Sequence, residues 1–211
     1  MIKYKQIKLI RRLYLIFCIF LGILTPIYCW YLRPGFNPMD KPLSDFGISG
    51  ETWLLWNSTL VFLAIGIFLN SYTSLRFYFK KRRFRYPLKT LLIISSFCLF
   101  FTGTIPMDYE LYHKVPAFLF FFSYNLFIFL FGLFRSFKYV RTGVVSIFIG
   151  LAMTFSLLLL LPFKSYGVFE IVYFALILTW NIYFLFQRMK EEGMKSDKKG
   201  ILISINGIYK G

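Results

Sequence analysis

Long apolar stretches alternate with short polar segments along the chain, and six of them stand out, at 13–32, 53–75, 90–107, 116–137, 143–162 and 168–187. Each is close to the ~20 residues that a helix rising ~1.5 Å per residue needs to cross the hydrocarbon core of a bilayer. The pattern predicts an all-α polytopic membrane protein: a six-transmembrane-helix bundle over 1–190 as one domain, with a basic tail over 191–211. Connections are short except from Arg33 to Thr52, which leaves no room for a separate soluble domain. A basic segment, Lys3 to Arg12, precedes the first run as it would in a secretory signal. That run is longer than the apolar region of a signal, and Ile27 and Tyr28, just before Cys29, are too large for a cleavage site or a lipoprotein box. It is expected to remain an uncleaved helix, and six crossings put both termini on one side.

Charge decides which side. The chain has 211 residues, 58% of them hydrophobic, yet Lys+Arg 25 against Asp+Glu 9 gives a formal charge of +16. In a soluble protein that excess would suggest nucleic acid, but with a mean hydropathy of +0.63 the chain has more apolar surface than one core could hide. Twenty-one of the 25 basic residues fall in the N-terminal tail, the connections after the second and fourth runs, and the C-terminal tail. Arg33, Lys41, Lys114 and Lys164 fall on the opposite side. Lys and Arg resist translocation, so the basic side is expected to be cytoplasmic, in a cell membrane, with its loops near anionic headgroups. The expected partners are membrane lipids, and a homo-oligomer or another membrane protein, rather than nucleic acid. Aromatic residues crowd the run boundaries (Tyr28, Trp30, Tyr31, Trp53, Trp56, Tyr109, Tyr112), as they do at headgroup depth.

Candidate chemistry is sparse. Cys18, Cys29 and Cys98 lie in apolar stretches and read as packing residues. A single histidine excludes a multi-histidine zinc site, and no cofactor motif is present. Three prolines and two glycines between Pro34 and Gly47 imply a structured outer loop that holds Asp45 either as a turn or helix-cap residue or as a ligand or catalytic group. The turn Gly103-Thr-Ile-Pro106-Met-Asp108-Tyr109-Glu110-Leu-Tyr112-His113-Lys114 supplies His113, five residues from Asp108. His113 with Asp108 or Asp45 is a candidate acid/base pair or mixed metal site; the alternative is a histidine that caps a helix end or ties the turn to the outer loop. Glu170, about one turn into the sixth run, either reaches the outer interface or is a buried intramembrane carboxylate. Ser146, Gly150 and Thr154 form a stripe of small residues suited to close helix packing. Asn57, Asn70, Ser95, Ser96, Ser123, Asn125 and Asn181 are polar candidates for hydrogen bonds between helices. The apolar patch from Gly200 to Gly207 is too short to span and is expected to be disordered or in weak membrane contact.

Ser44-Asp45-Phe46-Gly47 in the first outer loop, with Gly103, Pro106, Asp108 and His113 around the next outer turn, resembles the prokaryotic six-span membrane proteins grouped as domain of unknown function 998 (DUF998). Phe46 stands where that family typically has Leu. The family looks like a relative of the Frag1, DRAM and Sfk1 membrane proteins. The resemblance implies a six-helix bundle with a polar outer cluster, covering about 13–187, and no established activity. Three functions follow as expectations: a non-enzymatic bundle acting through lipid or protein contacts, a hydrolase or transferase acting on lipid headgroups through His113 with Asp45 or Asp108, and a small-solute transporter.

Overall fold

The computed structural model describes residues 4–208 other than 49 and 164. Six helices run through it: α1 (Tyr4–Leu32), α2 (Trp53–Tyr78), α3 (Arg82–Thr104), α4 (Glu110–Ser136), α5 (Val140–Phe155) and α6 (Gly167–Ile208). Two short 3₁₀ turns, Leu43–Gly47 and Ser156–Leu160, punctuate the long loop and the end of α5. Among the described residues, Leu9–Leu32, Arg82–Thr104, Glu110–Ser136, Val140–Leu160 and Gly167–Gly193 are long and apolar enough to cross a membrane. Trp53–Leu69 is a shorter apolar helix. The chain is thus an all-helical, multi-pass membrane protein.

Helix ends depart from the hydropathy pattern where polar residues are themselves helical. α3 starts at Arg82, so Arg83, Arg85 and Lys89 sit on the helix, where long basic side chains can lay their stems along apolar surface and keep the charge in water. α4 starts ahead of Pro116, which it accommodates in its second turn. α6 continues well past 187; its tail side chains from 194 onward lie outside the described residues.

Each helix packs against its neighbour in sequence, and α6 returns to α1. The middle of the bundle is aromatic: Trp180 stacks on Phe184 with ring centroids 4.9 Å apart, and Phe131 meets both edge-on at 5.6 and 5.5 Å. In lipid there is little hydrophobic drive between helices, so close packing and hydrogen bonds hold them together. Gly132 shows the first: a Cβ there would lie 2.7 Å from the Ile147 backbone nitrogen, so only glycine lets α4 and α5 cross this closely. Ser146 shows the second, donating to the Thr142 carbonyl (3.1 Å) and accepting from Trp180 Nε1 (3.1 Å). Ser146 and Gly150 are buried, and the Thr154 hydroxyl accepts a bond from Asn125.

Call the end with residues 33–52 the loop end and the other the basic end. At the basic end the Arg135 side chain is 3% exposed. It pairs with Glu191 and lies over the rings of Tyr78 and Tyr139, at 4.7 and 3.6 Å from their centroids. Glu192 pairs with Arg12 and Arg188. Residues that the charge pattern places in a loop and a tail are therefore part of the bundle, because the C-terminal extension of α6 brings two carboxylates to the basic ends of α1 and α4.

Candidate functional site

The loop end is built around the segment Leu43–Gly47, and each of its residues does something different. Phe46 is fully buried between Phe36 (4.3 Å between centroids) and Trp56 (5.5 Å). Its carbonyl accepts from the Thr52 hydroxyl at 2.8 Å, which pins the loop to the start of α2. Gly47 packs against Asn57, whose side-chain amide donates to the Gly47 carbonyl at 3.0 Å. Asp45 faces the loop itself: Arg33 Nη1 donates to its backbone carbonyl (2.9 Å) and reaches its carboxylate (3.4 Å), with Lys41 Nζ at 3.8 Å. Asn37 folds the preceding turn through its side-chain oxygen, which accepts from the Met39 N–H at 3.1 Å. Rigidity here comes from side chains satisfying backbone groups.

His113 lies in the first turn of α4 and is 4% exposed. Its Nδ1 is 2.7 Å from the Ile105 carbonyl just past the end of α3, so it clasps its own α3–α4 turn and not the outer loop. Its other ring nitrogen, Nε2, is buried without a hydrogen-bond partner. Asp108 is exposed on the same turn.

Glu170 points into the bundle. Its Oε2 accepts from the Leu43 N–H at 2.5 Å, and the Ser44 N–H also faces the carboxylate. These are the first amides of a 3₁₀ turn, which have no partner within the turn, so the side chain of α6 caps the loop's 3₁₀ segment. The start of α6 is held against the same loop: Ser165 donates to the Pro38 carbonyl at 2.8 Å, and Gly167 lies so close to the Pro38 and Lys41 carbonyls that a side chain there would collide.

Between α4, the 3₁₀ turn after α5, the first turns of α6 and the loop lies a cavity of about 250 Å³. Its wall is mostly apolar, with Phe118, Phe121, Phe122, Met153, Leu157 and Phe169 prominent. Phe118 and Phe122 are 64% and 59% exposed on the outside of the bundle, so the cavity edge is continuous with the apolar exterior. Polar groups are few: Ser44, His113, Asn125 and Glu170 line it, with Lys114 and Tyr166. Lys114 pairs with Glu110 and sits 5.7 Å from the centroid of the Tyr166 ring. A smaller cavity of about 50 Å³ shares Ser44, His113, Ala117, Phe121 and Glu170.

The structure thus brings His113 and Glu170 to one cavity wall, while Asp45 engages Arg33 and Lys41 and Asp108 stays on the surface. Among the described residues no group of three or more His, Cys, Asp or Glu side chains is placed to hold a metal ion. Sequence reasoning put Ser44 in its motif and Asn125 among the interhelical polar residues without linking either to His113. The signal for the link is the register of α4: Lys114, Ala117, Phe118, Phe121, Phe122 and Asn125 fall at three- and four-residue steps along one face. Asn57 bonds to Gly47, and Asn181 to Tyr124 (Asn181 Nδ2 to the hydroxyl, 3.0 Å). The Asn70 side chain lies outside the described residues.

Fold and site define a helical membrane protein with a mostly apolar cavity at one end, continuous with its apolar exterior. Its family follows from comparison with known sequences: residues 16–187 match the family described as "Protein of unknown function (DUF998)", and the chain belongs to that family. No curated protein and no solved structure matches it.

Proposed function

We propose that the protein is a non-enzymatic, six-span cell-membrane protein that accommodates a membrane amphiphile in the loop-end cavity. Both termini are cytoplasmic, α2 is the sixth span, and the loop end faces outward, because 21 of the 25 basic residues collect at the other end. The observation that carries the reading is the cavity itself: its aromatic wall runs out onto the lipid-facing surface at Phe118 and Phe122, and a carboxylate and a histidine stand in the wall. A cleft with an apolar lining and a few polar groups is suited to one end of a lipid. The hydrolase reading gains little support, because Asp45 is engaged by Arg33 and Lys41 and His113 is turned to Ile105.

Two measurements test the proposal. In intact cells, a cysteine replacing Asn37 should react with an impermeant maleimide and one replacing Lys81 only after permeabilisation; the reverse pattern would overturn the orientation. Lipids that remain with the purified protein, quantified by mass spectrometry, should fall in Ala117→Phe, which places a ring in both loop-end cavities. Equal retention by a folded variant would overturn the cavity assignment.

A further inference from the structure

Inside the rim formed by Lys114 and Tyr166, the polar atoms of the cavity wall share one chemical property, which follows from how each side chain is already engaged. Ile105 offers His113 a carbonyl, which can only accept, so Nδ1 carries the proton and in the neutral ring the buried, unpartnered Nε2 presents a lone pair. Thr154 spends its hydroxyl proton on the Gly150 carbonyl at 3.0 Å. Its oxygen can then only accept, so Asn125 must present Nδ2 to it, at 2.9 Å. That fixes the amide and leaves Asn125 Oδ1 as a buried acceptor without a partner. The Ser44 hydroxyl is directed at Met107 Sδ (3.2 Å), and the Tyr173 hydroxyl donates to the Phe121 carbonyl, so both protons are in use. An ionised Glu170 is acceptor-only, and it is met by the backbone N–H groups of Leu43 and Ser44 rather than by a cation. The cation in the wall, Lys114, is paired with Glu110.

We infer that the cavity selects an amphiphile with a primary ammonium headgroup, the N–H donors meeting Glu170, His113 and Asn125 and the chain leaving past Phe118 and Phe122. This rests on the cavity reading above and adds the headgroup class. A carboxylate in a low-dielectric span is costly unless paired, and an ammonium forms charge-assisted bonds with it. The aromatic wall adds attraction for a cation that a neutral or anionic headgroup does not gain. A fatty acid or alkyl phosphate would instead set oxygen acceptors against acceptors. Two sources share the chemistry, a free long-chain amine and an aminophospholipid, whose phosphate would lie toward Lys114 at the rim.

The test is equilibrium binding of matched amphiphiles to the full chain in dodecyl maltoside, read by native mass spectrometry. Dodecylamine, dodecanol, dodecanoate, dodecyltrimethylammonium and lysophosphatidylethanolamine form the panel. Dodecylamine should bind about tenfold or more tightly than dodecanoate, the least expected from one charge-assisted bond in a dry site. It should also bind more tightly than dodecyltrimethylammonium, which has the charge but no N–H donor. Lysophosphatidylethanolamine binding above dodecylamine, with that advantage lost in Lys114→Ala, would identify the aminophospholipid; binding below it would identify the free amine. Glu170→Gln keeps an oxygen for the Leu43 N–H while removing the charge, so its preference for amine over alcohol should collapse with dodecanol binding unchanged. Equal binding of amine and carboxylate, or an undiminished amine preference in Glu170→Gln, would overturn the headgroup inference while leaving the cavity reading intact. Binding of no amphiphile would overturn both. If Glu170→Gln does not fold, the wild-type panel alone decides the headgroup.

Discussion

His113 and Arg135 are both nearly buried and both polar, yet they hold the bundle in different ways. His113 gives one proton to one carbonyl across a tight turn. Replacing it with alanine leaves the Ile105 carbonyl without that donor, and the cost of a buried polar group left unsatisfied is about 1–3 kcal/mol. Thermal unfolding of purified His113→Ala should show a loss of that order, with greater proteolytic cutting at the turn between α3 and α4; an unchanged transition would show that water or another donor takes over. Arg135 is a buried charge compensated by Glu191 and by two aromatic faces. Removing either partner alone strands the other, which typically costs about 3–5 kcal/mol. Arg135→Leu and Glu191→Leu should therefore each be strongly destabilising, and the double replacement should recover most of the loss. Additive losses in that double-mutant cycle would argue that the two side chains act independently.

At the scale of elements, the contact between α4 and α5 depends on the missing side chain of Gly132, which sets α4 against the Ile147 backbone. Gly132→Leu forces these helices apart, and overpacking of this kind typically costs about 1–3 kcal/mol. Because Asn125 and Thr154 bridge the same helices further toward the loop end, the separation should also widen the cavity and weaken amphiphile retention. Retention equal to wild type in a folded variant would show that the two ends of the contact are uncoupled. The 3₁₀ segment Leu43–Gly47 illustrates the opposite case, an element too short to stand alone. Its own five residues hold it less than Glu170, Arg33, Thr52 and Asn57 do, each reaching it from elsewhere in the chain. The hydropathy pattern finds helices that bury a long stripe and cannot find such a segment, whose few local bonds, Asp45 N–H to the Pro42 carbonyl and Ile48 N–H to the Asp45 carbonyl, are supplemented by these tertiary ones.

For the molecule as a whole, the two ends differ in kind. The basic end is closed by ion pairs among α1, α4 and α6, while the loop end joins its helices to the loop through side chains bonded to backbone groups, with the Asp45 ion pairs confined to the loop, and leaves a cavity beside them. Asn57 and Asn181 are spent on Gly47 and Tyr124, and Asn125 lines the loop-end cavity. Adding amphiphile of the preferred class should raise the unfolding temperature of wild type, since a ligand bound only by the folded state stabilises it by mass action. Ala117→Phe should not respond; an equal shift in both would place binding outside the cavity.

By itself the sequence determined the all-helical, multi-pass class, because crossing hydrocarbon demands long apolar helices whose backbone groups are satisfied within the segment. It also singled out Asp45, Asp108, His113 and Glu170, since ionisable residues beside such runs are few enough to be conspicuous. It could not pair them. Leu43 and Glu170 are 127 residues apart, and no local periodicity links a loop amide to a carboxylate one turn into the last helix. Only the packed structure sent Asp45 to Arg33 and Lys41, turned His113 toward Ile105 and put Glu170 in the cavity wall. The reason is that apolar stretches report how much surface must leave water, whereas a site is fixed by which few polar atoms find partners once the helices have closed around them.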